Sequence, residues 1–171
     1  QGLGPVIGLV LLCIAGTWLN SNFATLDNAM NVLTRTAFIG IIAVGMCFVI
    51  VSGGIDLSVA SMAALSGIIA NLLMNGYGVN WVVAILITLL IGAAVGWLNG
   101  IVTTKFLVPA FIVTMAAKTY LFGVAMLVSN GDQITIMQPS QFLQIGVGKF
   151  LGIPIPIYIM ATLVIASHIL L

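Results

Sequence analysis

Between Ala37 and Met74 the chain carries a single charged residue, Asp56, which follows a pair of glycines. The apolar run before this interruption has 15 residues, and the run after it has 18. As helices these runs would extend roughly 22 and 27 Å, whereas the hydrocarbon core of a bilayer is about 30 Å thick. The sequence therefore predicts two membrane-spanning helices, the first of them short, separated by a break at Ser52–Ser61.

The break has two interpretations. In the first, Gly53 and Gly54 end one helix in a left-handed cap and Asp56 is the N-cap of the next, which requires only a hairpin at the membrane edge. In the second, the break lies at membrane depth, where irregular backbone is tolerated only if it is buried in protein or lines a watery cavity. Asp56 could cap a helix and face a pathway at once, so the sequence leaves both interpretations open.

Composition identifies an integral membrane protein. Of the 171 residues, 62% are hydrophobic and only 4% are charged, far below the roughly one quarter typical of soluble domains. The net charge is +1 and the basic residues are scattered, so no nucleic-acid partner is indicated. Cys13 and Cys47 lie in apolar runs without the spacing of a metal site or a disulfide framework. Because no catalytic constellation or nucleotide-binding loop is present, we expect neither enzymatic activity nor a bound cofactor or metal in this chain.

The succession of apolar runs predicts an all-α polytopic membrane helix bundle, with about six transmembrane helices in a single domain covering residues 1–171. The predicted helices are Pro5–Leu19, Thr36–Val51, Leu57–Met74, Trp81–Val102, Pro109–Ser129 and Ile157–Leu171. The chain starts without methionine and stops inside an apolar run, so we expect it to be a fragment.

Two polar segments interrupt this pattern. In Asn20–Arg35, apolar residues recur at helical spacing behind Thr25, which predicts a short amphipathic helix on the membrane surface with Thr25 as its N-cap. Asn130–Pro156 is predicted to be a long loop, because Pro154 and Pro156 should block a helix until Ile157. A loop of this length in a compact chain is usually functional or faces a partner.

The basic residues give conflicting indications of orientation. Lys105 lies in the predicted short loop Thr103–Val108, and the positive-inside rule would make this loop cytoplasmic. The N-terminus would then also be cytoplasmic, which is the orientation we expect. Arg35 and Lys149 favour the opposite orientation.

Polar residues inside the apolar runs are candidate pathway residues. Lys118 lies roughly 14 Å along the fifth predicted helix, near the bilayer centre, where a lysine must pair, face a cavity or snorkel. We therefore consider an interaction with Asp56, the alternative being a lysine satisfied by carbonyls of the bundle. Asn99 is interpreted first as an interhelical hydrogen-bonding or helix-end group. Three glycines recur every fourth residue in the fourth helix and should let another helix approach closely: Gly92, Gly96 and Gly100.

Distinctive motifs are distributed along nearly the whole chain. They are Val44–Met46, Val49–Val59, Leu98–Gly100 and Val108–Thr114, with Phe23–Thr25 near the start and Gly152–Pro156 near the end. Together they resemble the permease subunits of bacterial ABC importers for ribose, xylose and related sugars. The motif around the glycine pair is long and quite specific.

This resemblance implies a permease of about ten helices in the bacterial inner membrane, of which the chain would supply helices one to six. It implies a second permease copy, an extracytoplasmic sugar-binding protein, and separate cytoplasmic ATPase subunits that bind ATP and magnesium. Alternating access of the paired permeases would move a monosaccharide along a weakly selective pathway. The expected pathway residues are Ser52, Gly53, Gly54, Asp56, Ser58, Asn99 and Lys118.

Two departures from the family pattern affect the expected activity. Ala60 stands where the family usually has a glycine, and Phe122 stands where it usually has an arginine before Gly123. Lys118, one helical turn before Phe122, could replace that charge. Two other functions stay open: a stand-alone secondary carrier or channel in which Asp56 and Lys118 couple to protons or ions, and an inactive half-permease that lacks the family's ATPase-docking segment.

Overall fold

The computed structural model describes residues 3–132, 134 and 140–171, most of which are helical. The helices are α1 (Leu3–Leu19), α2 (Leu26–Val51), α3 (Val59–Asn71), α4 (Trp81–Lys105), α5 (Ala110–Ser129), α6 (Ser140–Val147) and α7 (Ile155–Leu170). A π-helical turn, Leu72–Gly76, continues α3, and a short antiparallel hairpin pairs β1 (Lys149–Phe150) with β2 (Ile153–Pro154). The predicted all-α fold class is confirmed.

Four of these helices are long and apolar enough to cross a bilayer: α2, α3 with its π-helical turn, α4 and α5. Two more, α1 and α7, are apolar but have only 17 and 16 residues. About six membrane helices were expected, and within the described ranges four reach spanning length. The chain is a multi-pass membrane protein whose exposed helix surfaces are rich in leucine, isoleucine and valine, as contact with lipid requires.

The chain forms two packed units, and the first combines residues up to Ile41 with Lys149–Leu171. Here α1 has no buried residue, whereas Ala37 of α2 and Pro156 of α7 are buried. Gly40 lies against Met160, and a Cβ at Gly40 would collide with the methionine sulfur. Glycine therefore allows α2 and α7 to approach closely in this unit.

The second unit, Ile42–Gly148, is built around α3, which packs most extensively against α5 and also against α4. Its first core cluster contains Leu65, Leu121 and Ala125, and its second contains Ala70, Met74 and Ala84. Alanines supply half of these core positions. Small side chains of this kind let helices approach closely, so that van der Waals contacts hold them together where lipid removes the hydrophobic driving force.

The N-terminal polar segment differs from its prediction. The prediction of a surface helix in Asn20–Arg35 followed by a new helix at Thr36 was wrong, because one continuous helix, α2, runs from Leu26 to Val51. Thr25 does cap the helix, since its Oγ1 accepts a hydrogen bond of 3.3 Å from the Asn28 amide. With no glycine or proline between the cap and Gly40, nothing stops the helix once it has begun.

Three other boundaries are also corrected. α3 begins at Val59, two residues later than predicted. α4 extends past its predicted end at Val102 to Lys105, so that Thr103 and Lys105 are helical. The chain then turns at Leu107, which has a φ of 56°. α7 begins before Pro156, because a proline in the first turn removes an amide that has no helical partner.

The long interval predicted to be a loop also contains regular structure. Within Asn130–Pro156, the chain forms α6 and the β1–β2 hairpin. Positions 133 and 135–139 of this interval lie outside the described residues. Its expected contact with a partner stays a prediction, as does the single domain expected for residues 1–171.

α2 ends at the glycine pair in a Schellman cap. The Gly54 amide donates to the Val49 carbonyl and the Gly53 amide donates to the Ile50 carbonyl, both at 2.9 Å. Gly53 has a φ of 80°, the left-handed conformation that this cap requires. The left-handed cap expected from the sequence is therefore present.

The cap predicts how Gly53 substitutions behave. Gly53→Ala should lower the free energy of unfolding by about 1–2 kcal/mol, because a Cβ disfavours left-handed backbone. Gly53→Asn should cost less, since asparagine tolerates this conformation better. The control is Gly45→Ala within α2, where an added Cβ meets no atom within 4 Å. Unfolding of the detergent-solubilised protein measures the difference, and equal stability of the two alanine variants would contradict the cap.

Candidate functional site

The segment between α2 and α3 is held by a carboxylate. Asp56 Oδ1 accepts hydrogen bonds from the Ser58 amide at 2.7 Å and from the Ser58 hydroxyl at 2.6 Å. Ser58, not Asp56, is the N-cap residue of α3, and Ser58 is buried. The predicted N-cap role of Asp56 is therefore corrected: its carboxylate closes a turn inside the break and leaves Oδ2 available to other groups.

A single hydroxyl connects the break to α5. Thr114 Oγ1 lies 3.0 Å from the carbonyl oxygen of Ile55 and 2.8 Å from that of Ala110. Thr114 is buried, and its hydroxyl hydrogen has these two carbonyls, with that of Phe111 at 3.5 Å, as acceptors within reach. The Ile55 carbonyl thus has a donor although it lies outside any helix, as an apolar environment requires.

A cavity of about 440 Å³ opens beside the break, a volume in the range of small-molecule sites. It extends along α4 from Thr104 to Gly96, which is about 12 Å of helix, starting near the end of α4. The break supplies Ser52, Gly53, Gly54, Ile55 and Asp56; α4 supplies Gly96, Asn99, Gly100, Thr103 and Thr104; Val49, Ala110 and Thr114 complete the lining.

This geometry combines the two interpretations of the break. The glycine cap of the first interpretation is present, and the break lines a cavity as in the second. Because Ala110 begins α5 and Thr114 lies one turn further, the break is level with the start of that helix and not with its middle. The cavity therefore starts near the helix ends and extends inward.

Asn99 lines this cavity and a second one of about 260 Å³ between α4 and α5. Its Nδ2 is buried and has no hydrogen-bond partner among the residues that the structure describes. The interhelical hydrogen bond first expected for Asn99 is therefore not formed there. The remaining lining of the second cavity is Val95, Leu98, Val113, Ala116, Ala117 and Tyr120.

Lys118 does not join the site. It is exposed on α5 and lines neither of these cavities. Asp56 is bonded to Ser58, and within the described part of the chain no salt bridge joins it to Lys118. The interaction considered from the sequence is therefore not part of this structure.

The glycines of α4 divide into two kinds. A Cβ at Gly92 would lie 3.7 Å from Met62 of α3, which is ordinary packing contact. A Cβ at Gly96 or Gly100 would meet no atom within 4 Å, and both residues line the larger cavity. Close packing at these two positions stays a prediction that requires a helix outside the described ranges.

Known proteins that are similar in sequence to this chain are permeases. A family model described as the branched-chain amino acid transport system / permease component matches residues 28–171. The chain belongs to this permease family. No solved structure matches it significantly.

Relatives of the permease include proteins named for sugar import. It is 39% identical over 166 residues to the ribose import permease protein RbsC of Escherichia coli (strain K12), covering 95% of this chain and 51% of that protein. It is 39% identical to RbsC of Bacillus subtilis (strain 168), covering 100% and 53%. It is 34% identical to the xylose transport system permease protein XylH of Escherichia coli (strain K12), covering 76% and 33%. The permease thus spans about half the length of the ribose permeases it matches.

Five of the seven expected pathway residues line the larger cavity, and their role in a pathway stays a prediction. Three threonines of the same lining were not among the expected residues. Thr103 and Thr104 were assigned to a loop, and Thr114 was quoted only as part of a motif. The spacing of Asn99 and Thr103, four residues apart, could have indicated a shared helix face. No local signal identifies Thr114, because its acceptor, Ile55, is 59 residues away in the chain.

The permease offers a matched test of the Thr114 hydrogen bond. Thr114→Val should leave the Ile55 carbonyl without a donor and destabilise the break by about 1–3 kcal/mol. The control on the same helix is Thr119→Val, whose hydroxyl bonds, among the described residues, only to the carbonyl of Met115. Hydrogen exchange of the 54–58 amides should accelerate in the first variant only. Equal exchange in both variants would mean that Thr114 does not hold the break.

Proposed function

We propose that this chain forms the translocation pathway of an ATP-driven importer for a monosaccharide. The observation that carries the proposal is the larger cavity, where a broken helix connection and the bare backbone of Gly96 and Gly100 enclose hydrogen-bonding groups. The names of the relatives, which specify ribose, arabinose and xylose, support the same substrate class.

The chemistry of the cavity favours a sugar over an amino acid, although the family description names branched-chain amino acids. A cationic side chain in the lining would favour a zwitterion by binding its carboxylate. The lining contains one charged group, Asp56, and no lysine, arginine or histidine. A carboxylate beside amide and hydroxyl groups can instead bind several hydroxyls, each of which donates and accepts one bond.

The proposed assembly follows from the family. A second permease copy would complete the pathway, an extracytoplasmic binding protein would deliver the sugar, and cytoplasmic ATPase subunits would bind ATP and magnesium. We place the assembly in a bacterial inner membrane with the N-terminus of this chain in the cytoplasm. The permease itself would carry no catalytic residue.

In the proposed mechanism, closure of the ATPase subunits moves the two permeases between outward-open and inward-open arrangements. The break would be the compliant part of this chain, because Gly53 and Gly54 restrict the backbone least. Ser52 and Asp56 would face the passing sugar, and Ser58 would orient the Asp56 carboxylate from its buried position. Lys118 lines neither cavity in this structure, so its proposed pathway role would require another arrangement.

Transport by this permease tests the proposal. Reconstituted in proteoliposomes with ATPase subunits and binding protein, it should take up radiolabelled ribose, xylose or arabinose only when ATP is supplied. Leucine, tested with the same protein, should not be taken up.

The other outcomes identify the competing functions. Uptake that proceeds without ATP would indicate a stand-alone carrier or channel. Uptake of leucine in place of a sugar would contradict the substrate class. No uptake of any of these compounds, by protein that is folded and assembled, would favour an inactive half-permease.

A further inference from the structure

The Asn99 amide is the most unusual polar group in the second unit. Its Nδ2 is buried with no hydrogen-bond partner in the described ranges. Such a group loses its bonds to water without gaining others, and native structures usually supply a partner. The Asn99 donor is therefore uncommitted within the described part of the chain, and its acceptor has to come from outside that part.

Asn99 also lies at the boundary between the two cavities. The larger cavity touches α5 at Ala110 and Thr114, whereas the smaller one touches it as far as Tyr120. Six residues of helix separate Thr114 from Tyr120, which is about 9 Å, so the smaller cavity reaches deeper into the bundle. Asn99 belongs to the lining of both cavities and therefore lies where they adjoin.

Several other polar groups nearby are already occupied, although the Thr103 hydroxyl has no hydrogen-bond partner in the described ranges. The hydroxyl of Thr104 donates to the Gly100 carbonyl at 2.8 Å, and that of Ser52 donates to the Val49 carbonyl at 2.8 Å. The Thr114 hydroxyl has two carbonyl acceptors within 3.0 Å. Asn99 is therefore the amide whose donors are uncommitted, and Asp56 Oδ2 is an acceptor in the same cavity.

We propose that the Asn99 amide binds a substrate hydroxyl at the passage between the two cavities and so selects for neutral polyhydroxylated solutes. This inference rests on the proposed import function. A primary amide has two donors and one acceptor oxygen, which matches a hydroxyl that both donates and accepts. Half a rotation of the amide exchanges these groups, so the same side chain can serve the solute on either side.

The first test compares Asn99→Leu with Thr119→Val, which lines neither cavity and whose hydroxyl is bonded to the Met115 carbonyl within its own helix. Both are introduced into the reconstituted transporter, and the initial rate of ATP-dependent ribose uptake is measured. Asn99→Leu should lower the uptake rate about five- to tenfold, the effect of about one hydrogen bond. Thr119→Val should stay within about twofold of the parent rate.

A second variant covers the case in which Asn99→Leu does not fold. Asn99→Asp has nearly the same shape and removes the donors, so uptake should again fall while the protein elutes and melts as a folded permease. Parent-like uptake by folded Asn99→Leu or Asn99→Asp would overturn the inference. A rate that falls equally in Thr119→Val would also overturn it, because the effect would not belong to the amide.

These results are distinct from failure of the import function. If the unsubstituted transporter takes up no sugar in the presence of ATP, the proposed function fails before Asn99 is tested. If it takes up ribose and the Asn99 variants do so at the same rate, only the inference about Asn99 fails.

Discussion

The structure depends on satisfying the backbone of a non-helical segment inside a membrane protein. An amide or carbonyl without a partner is costly in an apolar environment, so a helix cannot simply stop there. Residues 52–58 stop it with three devices: the glycine cap after α2, the Asp56 carboxylate that binds Ser58, and the Thr114 hydroxyl that reaches Ile55. Two of them are local, and the third connects the break to α5. The break can therefore line an open cavity without losing its shape.

The same arrangement explains why the functional groups lie where they do. α3 packs on α5 through leucine and alanine contacts, and this packing fixes the break beside the first turns of α5. α4 faces the break with Gly96 and Gly100, whose lack of side chains leaves space. Asn99 lies between these glycines in the lining, and its Nδ2 has no hydrogen-bond partner among the described residues. A permease for sugars needs this combination of an open path and uncommitted hydrogen-bonding groups.

Local chemistry made much of this predictable from the sequence. Apolar runs identified the helices, and Gly53, Thr25 and Pro109 marked helix ends because their effects depend only on neighbouring residues. Predictions failed where propensity gave no stop signal, as in the continuous α2, or where a proline was compatible with a first turn, as in α7. The cavity was predictable only in part. Asp56 and Asn99 were candidates as polar residues in apolar runs, but the Thr114 contact and the exposed position of Lys118 depend on tertiary packing.

The central claim is that the break borders a water-filled cavity that extends into the helix bundle. Single cysteines at positions 103 and 90 of α4 test it most directly, in a background where Cys13 and Cys47 are replaced by alanine. Thr103 lines the cavity, whereas Leu90 is exposed on the apolar surface. In permeabilised membranes a charged methanethiosulfonate reagent, which needs water to reach a thiol, should modify Thr103→Cys and leave Leu90→Cys unmodified. Failure to modify Thr103→Cys, or equal modification of both positions, would contradict the account.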